Sequence, residues 1–264
     1  MNKIKTIIRK EWAEVFKNRM VLFTVAFLPL LLTAIPIAIL LSMRGEVSGM
    51  QGVASELPPQ FNALCPANLS QGECFQVYLV GQFMIMFMIL PLAIPATISA
   101  YSIVGEKTTH SLEPLLATPI STLELLLGKG LASVIPAVLA TYAAFLIFAA
   151  AAWIITPNPQ LLGALLDARW LLAVFLVGPL MAILAVTVSV MVSSRVNDPR
   201  VAEQVSMVVI IPVLAVFFGQ IAGLFLLNQQ IILAAAAILV VVDGLMFYLA
   251  IQFFQRETIL TRWK

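Results

Sequence analysis

Few side chains in this sequence are placed where they could do chemistry. The densest set lies in Gly105–Lys129, "GEKTTHSLEPLLATPISTLELLLGK", where Glu106, Lys107, Glu113, Glu124 and Lys129 recur between two long apolar runs. Around Leu112, Leu115 and Leu116 these charges make an apolar knob with a charged rim, the composition of a protein-docking element; leucines folded back onto the chain itself are the alternative. Ser121 and Glu124 have the spacing of a capping box, which starts a helix near Thr122 and carries it through Lys129. Upstream, Pro114 can open a short helix and Pro119 can close it. The same stretch excludes a phosphate-binding loop, because "LLLGKG" at 125–130 has neither the upstream glycine nor a Ser or Thr after the lysine.

A second place is Asp243, alone in "LVVVDGLMFY". A carboxylate at the centre of a membrane span costs about 2.5–3.5 kcal/mol. It is therefore a site for a cation, a substrate or a proton, or else a protonated or hydrogen-bonded group that joins helices. Gln82 and Gln220 also fall in apolar runs, and "GQFMIMFMIL" gathers Met84, Met86 and Met88 with Phe83 and Phe87. Methionine and aromatic side chains adapt to varied apolar ligands, and they also fill cores without further purpose. Asp243, Gln82, Met84, Met88 and Gln220 are the candidate translocation residues. Cys65 and Cys74, the only cysteines, suit a disulfide if their loop faces an oxidising compartment. His110 is the only histidine and has no cysteine or acidic cluster beside it, so no metal site is expected. An intramembrane enzyme would need a nucleophile with its base, or paired acids, and one mid-span acid is a poor start for either.

The elements that must hold these groups are membrane spans. Of 264 residues 61% are hydrophobic and 11% charged, and the mean hydropathy is +1.03, which excludes an ordinary soluble domain. A bilayer core needs about 20 apolar residues per helix, and six runs qualify: 20–43, 77–104, 131–155, 170–192, 205–227 and 231–251. The expected fold is an all-α membrane protein in one domain over 1–264. Residues 1–19 place Ile4, Ile8, Trp12, Val15 and Phe16 at helical spacing among lysines and arginines, which predicts an amphipathic helix in the interface, with Trp12 and Phe16 as its anchors. Residues 44–76 form the longest loop, rich in turn formers. In "SSRVNDPRVAEQ", Asp198 and Pro199 have the pattern of a helix start. Each of the first five spans carries proline, which kinks a helix and frees a carbonyl.

Charge sets the orientation. Lys3, Lys5, Arg9, Lys10, Lys17, Arg19, Lys107, Lys129, Arg195, Arg200, Arg256, Arg262 and Lys264 fall on one side of the six spans, against Arg44 and Arg169 on the other. Lysine and arginine are retained on the cytoplasmic side, so both termini and the 105–129 loop are expected there, and 44–76 outside. A basic rim of this kind is the usual membrane pattern, and no nucleic-acid partner is implied.

"GEKTTHSLEPLLATPISTLELLLGK", with "IIRKEWAEVFKNR", "SSRVNDPRVAEQ" and "FFQRETILTRWK", resembles the membrane subunit of ATP-binding-cassette transporters of the type 2 permease family, most nearly its sodium-efflux permeases. The resemblance spans the chain and implies a six-helix half-transporter that pairs with a second permease copy, most simply as a homodimer, in membrane lipid. It implies that Glu106 closes span two, that Glu113, Pro114, Leu115, Leu116 and Pro119 belong to a cytoplasmic coupling helix between spans two and three, and that this helix and the N-terminal helix contact a separate ATP-binding subunit. Thr109 and His110 depart from the basic residue and glycine common there. On this reading the chain is non-catalytic and holds no cofactor, while ATP and Mg belong to the partner ATPase. The expected location is the plasma membrane of a prokaryote, and the cargo is sodium or a hydrophobic drug, peptide or lipid. An ion-coupled secondary transporter working without an ATPase is the alternative.

Overall fold

The computed structural model of the chain describes residues 2–43, 69–108 and 120–253. All regular structure there is helical: α1 (Asn2–Val15), α2 (Arg19–Ser42), α3 (Gln71–Phe87), α4 (Leu90–Thr108), α5 (Thr122–Ile155), α6 (Pro159–Leu165), α7 (Ala168–Leu172), α8 (Gly178–Ser193), α9 (Pro199–Ser206), α10 (Ile211–Ile221) and α11 (Gln229–Phe253). They make six helical segments long and apolar enough to cross a membrane, bounded by Val21–Ser42, Gln71–Thr108, Leu123–Ile155, Pro159–Ser193, Pro199–Ile221 and Gln229–Gln252. Glu113, Pro114, Leu115, Leu116, Pro119, His110 and Cys65 lie outside the described residues.

Three of these segments are interrupted just before a proline, and the fourth is broken once more at 166–167, between α6 and α7. Pro91 has no N–H and its ring would strike the Phe87 carbonyl, so the helix tightens there: the Met88 N–H donates to Ile85 O and the Ile89 N–H to Met86 O, each at 3.0 Å. The second span is thus two helices, α3 and α4, rather than the single run 77–104. It also starts at Gln71, inside the expected loop, because Ser70 and Glu73 form a capping box. Pro179 follows a π-helical turn, Ala173–Val177, and Pro212 follows a 3-10 turn, Met207–Ile210. The fifth span begins as the sequence suggests, with the Asp198 carboxylate accepting from the Arg200 and Val201 N–H groups and Pro199 in the first turn.

That fifth span ends at Ile221, short of the expected 227. Gly223 takes a φ of 71°, its N–H donates to Gln220 O at 3.1 Å, and the Leu224 N–H donates to Gly219 O at 2.9 Å. This is a Schellman stop, which needs a left-handed residue that glycine supplies without a Cβ penalty. Phe225 folds back over Gly219, where a Cβ would lie 2.8 Å from its ring.

The second span is the axis of the bundle. In its most apolar window 61% of the residues are buried, against 17–44% in the other five, which leaves the others with one face outward. Leu90, Leu92, Ile94, Ala96, Ile98, Ala100 and Ile103 of α4 are all buried, and α4 packs against α1, α2, α5, α8 and α9. Outward faces carry large apolar side chains, such as Phe23, Phe27 and Leu30 on α2 and Phe218 and Ile221 on α10. Water would strongly disfavour such a surface; hydrocarbon does not.

Candidate functional site

The polar centre of the protein lies where α1 crosses the ends of α4 and α5. Glu11, Glu106 and Lys129 are all buried there. An ammonium has three hydrogens and no acceptor. Lys129 Nζ donates to Glu11 Oε1 at 2.7 Å and to Ser102 Oγ at 3.0 Å, and it lies 2.7 Å from Glu106 Oε2 as an ion pair. Ser102 Oγ donates in turn to Glu11 Oε2, and Lys10 Nζ donates to Glu106 Oε1. Three buried charges and the half-exposed Lys10 therefore close a neutral set, which is how buried charge is tolerated.

Lys10 is the member nearest solvent. Burial works against its ammonium, but the hydrogen bond and charge of Glu106, with Glu11 and Glu14, outweigh this and raise its pKa above the ordinary lysine value. It stays protonated through the neutral range, and its pairing is lost only as pH rises past that raised value.

The local sequence explains why α1 comes so close. At Gly128 a Cβ would lie 2.8 Å from Ile7 Cγ2 and 2.9 Å from Ile7 Cβ, so only glycine lets α1 lie against α5. The buried residues of α1 are accordingly Ile7, Glu11 and Val15. Of the expected stripe Val15 is buried while Ile4, Ile8 and Trp12 stay partly exposed, so the inward face is turned toward Ile7 and Glu11. Phe16 follows the helix end and is exposed.

Trp12 has a polar role beyond anchoring. Pro136 leaves the Ala132 carbonyl without its helical donor, and Trp12 Nε1–H donates to that oxygen at 2.9 Å. Tyr142 does the same at the next break, its hydroxyl donating at 3.3 Å to Phe175 O, the carbonyl that Pro179 frees. Trp12→Phe keeps the ring and removes the donor, and is expected to lower stability by about 1 kcal/mol, read as a lower thermal midpoint of the purified protein. An unchanged midpoint would show that the Ala132 carbonyl finds water instead.

Both chain ends flanking residues 109–119 are held. Next to Glu106, Lys107 Nζ donates to Val196 O at 3.2 Å, so adjacent residues tie the end of α4 to opposite neighbours. On the other side, Ser121 and Glu124 cap α5 reciprocally, and Glu124 is 3.6 Å from Lys3 Nζ.

The candidate translocation residues do not form one cluster of this kind. Met84 and Met88 are buried in the main apolar core with Phe87 and Leu90. Gln82 is buried in α3, and neither amide atom has a hydrogen-bond partner among the described residues. Gln220 lines a small cleft with Tyr78, Gly81, Arg169 and Trp170. Asp243 is on the buried side of α11, which packs chiefly on α8, while Gly244 faces open space. Cys74 is buried near the start of α3. Among the described residues no His, Cys, Asp or Glu group could hold a metal ion.

Glu11, Ser102 and Lys10 were not legible as site residues. A glutamate in a basic helix reads as solvated, and no local pattern in the sequence joins Glu11 to Lys129.

Six helical segments long and apolar enough to cross a membrane define a multi-pass membrane protein. Residues 5–234 match the family model of the ABC-2 family transporter proteins, and the chain belongs to that family. It is the membrane subunit of an ABC transporter, a class that is generally non-catalytic and works with an ABC-type ATP-binding partner. No curated protein matches the chain significantly.

Proposed function

We propose that the chain is the permease half of an ATP-driven exporter. Two copies form the pathway, and residues 109–119 form a coupling helix that docks on the ATP-binding subunit through Glu113, Pro114, Leu115, Leu116 and Pro119. The observation that carries this reading is the joint of Glu11, Glu106 and Lys129, because it fixes both flanks of that segment to α1 and to two spans. Closure of the ATPase around ATP and Mg would push the segment, and the joint would pass the push to helices whose proline breaks let them bend. The surplus of Lys and Arg supports a cytoplasmic side for the joint, both termini and the ATPase; on this reading the cell is prokaryotic and residues 44–68 lie outside, where a Cys65–Cys74 disulfide would form. The cargo class extends from sodium to hydrophobic drugs, peptides and lipids. The apolar outer faces suit lipid and a second copy.

The test is co-purification from native membranes in mild detergent. An ATP-binding subunit is expected to accompany the wild-type chain and to be lost, at least about tenfold, from Leu115→Asp with Leu116→Asp. Retention of the ATPase by this variant would overturn the coupling assignment. Absence of any ATPase, with transport by the chain alone in liposomes, would favour an ion-coupled secondary transporter.

A further inference from the structure

Asp243 is an acid in an apolar wall. The buried positions of α11 include Ile232, Ala236, Asp243 and Ala250, which fall on one helical face. Neither carboxylate oxygen of Asp243 has a hydrogen-bond partner among the described residues. Nor does a cation among the described residues face it. The packing partner α8 has no charged residue. On α5, Glu124 pairs with Lys3, and Lys129 with Glu11 and Glu106. On α7, Arg169 is paired with Asp167 and also donates to Leu227 O.

One turn from Asp243 toward the α1 end, about 6 Å along the helix, Phe247 lines a groove between α5, α8 and α11. Its other walls include Leu126, Leu131, Val134, Ile183 and Val190, with Thr187 the only hydroxyl. We propose that this groove and Asp243 together bind lipophilic monoamines, the apolar body of the ligand filling the groove and its ammonium pairing with the Asp243 carboxylate once Phe247 turns aside. The chemistry selects that class. An unpaired buried carboxylate is costly and a cation relieves it, and only a cation carried on hydrocarbon also suits these walls. A bare metal ion needs several oxygen ligands, which the groove does not provide. Anionic and neutral lipids leave the acid unpaired. That the amine is cargo rests on the exporter reading; that it binds here does not.

The experiment uses the full chain in phosphatidylcholine nanodiscs without ATPase, so its failure leaves the coupling test standing. A fluorescent dodecylammonium probe and the same fluorophore on dodecanol are titrated by polarisation, with empty nanodiscs as background. Saturable binding of the ammonium probe is expected. It should weaken by about thirtyfold or more in Asp243→Asn, and the dodecanol probe should bind wild type no better than the ammonium binds that variant. Gly130→Leu fills the groove, since a Cβ there makes only ordinary contact, 3.6 Å from Val186, and it too should weaken binding. If Asp243→Asn does not fold, the dodecanol probe and Gly130→Leu decide. Absence of saturable ammonium binding, equal binding of the two probes, or undiminished binding by folded Asp243→Asn would each overturn the proposal.

Discussion

Lys129→Met is expected to destabilise the protein by about 3–5 kcal/mol, the cost of removing one partner from a buried set of charges. The methionine fills similar space, so the loss is electrostatic. Glu11 and Glu106 remain buried, with only Lys10 to balance them, and Ser102 loses the donor at 3.0 Å. In detergent the thermal midpoint should fall by roughly 10 °C. Lys129→Arg should recover little, because a planar guanidinium cannot aim single donors at three converging oxygens as an ammonium does. Adding Glu11→Gln alone to Lys129→Met should recover much of the midpoint, since Lys10 and Glu106 then remain as a balanced pair and no charge is stranded. A Lys129→Met protein that melts with the wild type would mean the carboxylates are hydrated and the joint is loose.

The second large effect comes from Gly128→Val, expected to cost about 3 kcal/mol by overpacking. A single Cβ there already meets Ile7 Cβ at 2.9 Å; that atom sits on the backbone of α1 and cannot swing away. The helix must move off α5, which also pulls Glu11 from Lys129 and Trp12 from the Ala132 carbonyl. The variant should therefore lose both stability and co-purification of the ATP-binding subunit. Ile7→Ala in the same chain should restore part of both by making room. If Gly128→Val binds the ATPase normally while α1 is displaced, as seen in faster exchange of its amides, α1 is not part of the coupling path.

Several features were legible before any tertiary structure. The capping box at Ser121 and Glu124 and the helix start at Asp198 and Pro199 are local chemistry, and both appear as read. Proline positions announced breaks, but not their form. Pro136 sits inside a continuous helix while Pro91, Pro179 and Pro212 follow interruptions, a difference that proline alone does not encode. The stop at Gly223 was readable from "GQIAGLF" as a glycine just past a helix, yet the apolar run continuing to Leu227 masked it.

By itself the sequence determined the class of protein: six apolar segments of spanning length, the side on which charge gathers, and a charged loop between spans two and three. These follow from hydrocarbon as solvent, which acts on each segment separately. Only the tertiary structure decided which charges are buried. Glu11, Ser102, Glu106 and Lys129 come from three separate elements, and their partnership depends on how α1 rotates when Gly128 admits Ile7. Periodicity assigns a helix its apolar stripe, but the face that α1 buries also carries Glu11, paired with Lys129, and a partner on another helix is not written in the local pattern.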